Sequence, residues 1–137
     1  MSVLIYDPTE VTIVVDGTAL TGLAETMVEA EQTENNFIEY VGALGEVSIA
    51  ENANKTGTIT VTLKNTSPSL AMMNNLANRR TYDAFVPVSI IDNNTAGCVI
   101  SGTQCRVRKP APYSAGKEVE EVTFEIFVAD FQYEPGN

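Results

Sequence analysis

The run Thr58-Ile-Thr-Val-Thr-Leu63 alternates polar and apolar residues without a break, a period that a helix cannot use. Successive side chains of a strand project to opposite faces, so Ile59, Val61 and Leu63 form one apolar face and Thr58, Thr60 and Thr62 a polar, uncharged one. The same period recurs at Val11, Ile13 and Val15, at Val47 and Ile49, and at Val122, Phe124, Ile126 and Val128. Further strands read over residues 20–32, 84–92, 98–109 (with a bulge at Gly102) and 118–131. Asp16-Gly17 supplies a hairpin turn, residues 52–57 turn the strand at 46–51 into that at 58–64, and residues 109–116, rich in proline, join the last two strands.

Only one segment changes period. Ser67 is placed to cap a helix with Pro68 at its first position, Leu70, Met73, Leu76 and Ala77 make an apolar stripe, and Arg79 and Arg80 close it. Seven or eight strands with one flanking helix predict a mainly antiparallel β-sandwich or barrel. With 137 residues, 44% of them hydrophobic, the chain reads as a single domain spanning 1–137, with an N-terminal arm at 1–9 and a long inter-strand loop at 33–45.

Composition excludes more than it selects. Eight Lys+Arg stand against 18 Asp+Glu, a formal charge of −10, which argues against a protein that grips nucleic acid by neutralising phosphates. The chain has no histidine, so Ser-His-Asp, Cys-His and His-bearing zinc sites are all excluded. Cys98 and Cys105 fall on one strand, about 23 Å apart at 3.3 Å per residue and on opposite faces, too far to bridge. Asp92-Asn-Asn-Thr-Ala-Gly97 has Thr103 where a calcium loop needs a bidentate Glu, and Gly42-Ala-Leu-Gly45 is too short to cradle phosphate. No catalytic, metal or cofactor site is expected. The first residues show no signal-peptide pattern, no membrane anchor is evident, and a reducing cytoplasm is the default compartment for synthesis.

Three features stay ambiguous on pattern alone. Glu25, Glu29 and Glu31 share a strand face with Met27, as a solvated face or an acidic lining. The 33–45 segment carries Phe37, Ile38, Tyr40, Val41 and Leu44 with no clean period, and either folds back over its own core or meets a partner. Arg106, Arg108 and Lys109 form the densest basic cluster and suit carboxylates within the chain or on another copy.

The ordered features resemble the tail tube, or inner tail core, proteins of contractile-tailed bacteriophages. The resemblance rests on the Tyr6-Asp-Pro8 arm, Asp16-Gly17, Leu20-Thr-Gly22, the Glu25 to Glu29 strand and the G-x-x-G-E of Gly42 to Glu46. It continues through the Asn52 to Leu63 turn and threonine strand, Thr66-Ser-Pro-Ser69, Phe85 to Asp92 and Lys109-Pro110. It implies a fold shared with type VI secretion tube proteins and subunits that form stacked hexameric rings, conduct DNA without binding it specifically and template a sheath. The implied partners are further copies of the chain and sheath, baseplate and tail terminator proteins, in a virion tail assembled in the host bacterial cytoplasm. Glu25, Glu29 and Glu31 would line an acidic lumen, Tyr6 and the apolar 33–45 residues would contact neighbouring subunits or rings, and Arg106, Arg108 and Lys109 would pair between subunits. The alternative, a monomeric β-sandwich module binding a ligand or carbohydrate, ordinarily displays tryptophan or tyrosine platforms, and this chain has no Trp.

Overall fold

The computed structural model describes residues 3–135, so Met1 and Ser2 of the expected arm lie outside the described residues. Ten strands and one α-helix make up the fold: β1 (Val11–Val15), β2 (Thr18–Ala19), β3 (Leu23–Gln32), β4 (Phe37–Val41), β5 (Val47–Glu51), β6 (Gly57–Lys64), α1 (Leu70–Asn78), β7 (Val86–Asp92), β8 (Cys98–Val107), β9 (Glu121–Val128) and β10 (Gln132–Pro135). Eight strands form one antiparallel sheet in the order β2-β1-β7-β8-β9-β6-β3, with β10 added beside β8. The expected mainly β fold with one flanking helix is the fold observed.

The threonine strand, β6, lies second from one edge of this sheet. β6 pairs with β9 along its full length and with β3 on its other side, so Ile59, Val61 and Leu63 meet Ile126, Phe124 and Val122 as direct cross-strand neighbours. Ile13, Val15, Val88 and Val107 complete the same core, all nearly solvent-free. The sheet curls until Met27, Val28 and Ala30 of β3 face Ile90, Cys98 and Ile100 of β7 and β8 across a cleft of about 560 Å³, at whose mouth Tyr6 and Pro8 of the arm stand.

Helix α1 drives Met73 and Leu76 into this core. It starts at Leu70, two residues after the expected position, because Ser67 and Ser69 tie the preceding turn to the β2–β3 connection. Ser67 Oγ accepts from the Ser69 N–H at 3.1 Å and donates to the Thr21 carbonyl, while Thr21 N–H donates to Ser69 Oγ at 3.1 Å. Gly22 is required at this junction: its φ is +68°, and an added Cβ would lie 2.7 Å from Ser67 Cβ.

Three expectations of pairing are corrected. The segment at 46–51 does not pair with 58–64 across the 52–57 turn; β5 pairs with β4, and β6 takes β3 instead. Consequently residues 33–45 are not one long loop, because Phe37-Ile-Glu-Tyr-Val41 is itself a strand. Cys98 and Cys105 do not face opposite ways. Val88 sits opposite Gly102 but Val86 sits opposite Cys105, so β8 holds one extra residue there and its parity flips. Both thiols therefore lie on the inner side, free, with Cys105 fully buried. Asp130 clamps this bulge, accepting from the N–H groups of Thr103 and Gln104 at 3.0 Å and from the Thr103 hydroxyl.

Candidate assembly surface

Beyond the curled sheet, the chain between β3 and β6 leaves the domain as a separate hairpin. Gln32 and Gly57 are paired, Thr33 N–H bonds to the Thr56 carbonyl, and β4 then pairs with β5 from Phe37 opposite Glu51 to Val41 opposite Val47. Its root is fixed by side chains. Asn52 Nδ2 donates to Glu34 Oε2 and to the Asn35 carbonyl, both at 3.0 Å, and Gln32 Nε2 donates to Asn36 Oδ1 at 2.8 Å. Its tip turns on Gly45, whose φ is +87°. All ten strand residues of the hairpin are exposed, and neither face is polar throughout: Phe37, Val41, Val47 and Ile49 share a side with Glu39 and Glu51, while Ile38 and Tyr40 share the other with Ser48 and Ala50. Tyr40 is 72% exposed and Leu44 at the tip 89%.

A second apolar segment lies on the arm. Val3, Leu4, Ile5 and Tyr6 are all exposed, and Asp7 anchors the chain behind them. Its N–H donates to Asn94 Oδ1 at 2.8 Å, and its carbonyl accepts from Asn94 Nδ2 at 3.0 Å. The Asp7 carboxylate accepts from the Thr9 hydroxyl and N–H, bonds that hold its pKa below the ordinary value.

The outer face of the main sheet is polar and holds the acidic residues singled out from sequence, but not as one row. The β3–β6 register shifts between Leu23 and Val28, which interrupts the period of two. Glu29 and Glu31 stand opposite Thr60 and Thr58 on the outer face. Glu25 stands apart from them on the rim of the cleft beside Tyr6 and Met27.

Arg106 and Arg108 share that outer face three strands from β3, on β8 and just past its end. The Arg106 guanidinium lies 6.0 Å from the Phe85 ring centre, and that of Arg108 lies 5.7 Å from Phe127 and donates to Thr58 Oγ1 at 3.2 Å. Lys109 joins them, and the structure adds two residues that sequence reasoning assigned only to helix capping. Arg79 and Arg80, brought round by the end of α1, border the same recess as Arg106, Arg108 and Lys109. Also missed were Val47 and Ile49, whose alternation was legible but whose partner strand was not.

A curled antiparallel sheet, one helix over its end and an apolar hairpin standing clear describe a class of building block rather than a container for a substrate. Chains of contractile injection systems share the fold. It matches a chain of a sheath-tube complex of an extracellular contractile injection system in its extended state, with a TM-score of 0.66 and 8% identity over 96% of this chain and 92% of that one. A chain of the anti-feeding prophage tube-terminating cap matches with a TM-score of 0.63 and 10% identity over 99% and 95%. A chain of a sheath/tube terminator matches with a TM-score of 0.57 and 10% identity over 93% and 95%. At the level of sequence, residues 9–136 match the family model described as the bacteriophage PhiTE tail tube protein, and the chain belongs to that family. It is a structural protein of the phage tail and not an enzyme. No curated protein matches it.

Proposed function

We propose that this chain builds the inner tube of a contractile phage tail as stacked rings, six subunits to a ring, through which DNA passes. The observation that carries the reading is the β4–β5 hairpin, an ordered structure with ten exposed strand residues and no core of its own. A two-stranded hairpin is marginal in water by itself, so burial of Phe37, Ile38, Tyr40, Val41 and Leu44 has to come from another molecule. The adjacent ring of the tube supplies it. The arm, with Tyr6, makes a second contact between subunits, and Arg106, Arg108 and Lys109 pair across the boundary of neighbouring copies.

In the ring the outer sheet face lines the lumen, with the threonines of β6 flanked by Glu29 and Glu31. These carboxylates and Glu25 nearer the mouth of the cleft repel DNA phosphates and keep the polymer from sticking during ejection. Pairing of sheet edges between subunits closes a continuous inner barrel and removes the exposed edge of β3. The subunit is made in the host cytoplasm, assembles on a baseplate, templates the sheath and ends at a terminator. The sheath-tube, terminator and cap complexes whose chains share its fold support the sheath and the terminator among these partners.

Negative-stain electron microscopy of the purified protein, with sedimentation velocity across concentration, tests the reading. Rings or tubes with an open centre are expected. Compact monomers at every concentration, also when the baseplate is supplied to nucleate assembly, would overturn it.

A further inference from the structure

The outer face of the sheet carries its charges as a gradient. Across the paired strands one row runs Glu31, Thr58, Phe127, Arg106. The next runs Glu29, Thr60, Glu125 and then Arg108, whose N–H bonds to the Glu125 carbonyl at 3.0 Å. At the acidic end β3 has no strand on its outer side. At the other end Arg79, Arg80, Arg106, Arg108 and Lys109 surround a recess of about 220 Å³ between the end of α1 and the end of β8.

This concentration of cations has no counterpart within the chain. Five of the eight Lys+Arg lie there, on a protein of formal charge −10. Among the described residues the one ion pair is Arg79 Nη1 to Asp16 Oδ2 at 4.0 Å. Arg108 is turned back over Phe127 to Thr58. Arg80, Arg106 and Lys109 are left facing a recess without a carboxylate partner among the described residues.

We propose that in each ring the outer edge of β3 of one copy docks at the basic recess of the next, with Glu29 and Glu31 meeting Arg80, Arg106 and Lys109. The proposal rests on the ring reading, specifies its seam, and moves Glu29 and Glu31 from the free lumen wall to that seam, leaving Glu25 and Glu125 as the carboxylates that face DNA unpaired. A closed ring needs a heterologous contact between two different, complementary patches on one subunit, and two patches three strands apart on one sheet face supply them. A two-fold dimer through either patch would set like charges together. The stacked position of Arg106 against Phe85 holds its charge in place before the neighbour arrives, which lowers the ordering cost of the contact. Docking also covers the open edge of β3.

Two charge-reversed chains test this in trans. Glu29→Arg with Glu31→Arg makes both patches basic, and Arg80→Glu with Arg106→Glu and Lys109→Glu makes both acidic. Each alone should need at least about tenfold more protein to form rings, or form none, while a 1:1 mixture, in which the two alternate around the ring, should assemble as the wild type does. Rings from either variant alone at the wild-type concentration, or a mixture that stays unassembled, would overturn the docking and leave the ring reading intact. A wild-type chain that forms no rings overturns both. If circular dichroism shows either reversed chain to be unfolded, Glu29→Gln/Glu31→Gln and Arg80→Gln/Arg106→Gln take their place. These should raise the assembly concentration and flatten its dependence on salt, and an unchanged concentration and salt dependence would overturn the docking.

Discussion

β6 and the β4–β5 hairpin both draw on β-branched residues of high strand propensity and reach opposite outcomes. In β6, Ile59, Val61 and Leu63 are solvent-free; in the hairpin, Ile38, Tyr40, Val41, Val47 and Ile49 are at least 60% exposed. Propensity does not separate them. What separates them is the number of neighbours: β6 has a strand on each side and a core beneath, whereas β4 has β5 and nothing else. The first region is stabilised inside the chain, and the second is a strand pair waiting for a surface. One region therefore sets whether the chain folds and the other whether it assembles, and the two properties should come apart on mutation.

The largest separation comes from removing the hairpin outright. Gln32 and Gly57 are directly paired, so an Asn-Gly turn can replace residues 33–56 and close β3 onto β6. The shortened chain should keep a cooperative thermal transition and the circular dichroism of a β protein while losing tube formation completely. A chain that failed to fold would show instead that the hairpin belongs to the core.

Point substitutions sharpen the same contrast. Phe124→Ala opens a cavity at a fully buried site and should cost about 3–5 kcal/mol in denaturant unfolding. Tyr40→Ala removes a largely exposed side chain whose direct cross-strand neighbour is Ser48, and should change monomer stability by no more than about 0.5 kcal/mol while weakening assembly. Equal losses of stability at the two positions would erase the distinction.

The part of this division that sequence shows is the part made of local alternation. The apolar set Val122, Phe124, Ile126 and Val128, the Asp16-Gly17 turn and the helix at Leu70, Met73 and Leu76 all follow from period and turn chemistry, because each is decided within a few residues. Partner choice is not decided locally. The 52–57 turn suits a hairpin, yet Gln32 lies opposite Gly57, and the ladder from there to Val28 opposite Val61 outcompetes it by extending the central sheet. Bulges hide for the same reason. Gly102 marked the bulge in β8 but not its consequence, that one extra residue there turns Cys105 inward, and the shift in β3 that parted Glu25 from Glu29 and Glu31 had no signal in composition. The basic recess was half legible, since Arg106 and Arg108 share a face by period while Arg79 and Arg80 reach it only through the path of the helix.

The bulge in β8 is where the folded region is most dependent on one polar side chain. Burial tends to raise the Asp130 pKa, but the hydrogen bonds from the Thr103 hydroxyl and from the Gln104 and Thr103 N–H groups outweigh it and leave it below the ordinary value. A depressed folded-state pKa means stability present above the ordinary carboxylate value and lost as pH falls through the folded one. Asp130→Ala should cost about 1–3 kcal/mol, because it leaves the Thr103 and Gln104 N–H groups without their acceptor. It should also flatten the acid limb of the stability profile between the two pKa values. An unchanged acid limb would mean that the bulge is held by the sheet and not by the carboxylate.

The smallest effect expected is at the thiol behind that clamp. Burial first, and the nearby Asp130 charge second, push Cys105 from 9.0 up to about 11. In the window between those values the unfolded chain loses this proton and the folded one keeps it, so folding holds more protons and stability falls as pH rises. Cys105→Ala should therefore lower stability at neutral pH by leaving a small cavity, and should make the decline from pH 9 to 11 shallower than in the wild type. Alkylation at pH 8 reads the same burial directly. Cys98, partly exposed beside Tyr133, should react in the folded monomer while Cys105 stays protected until the sheet opens. Equal reaction of the two thiols would mean that the sheet opens around Cys105 as readily as around the partly exposed Cys98, and the main sheet would then not be the stable half of the comparison.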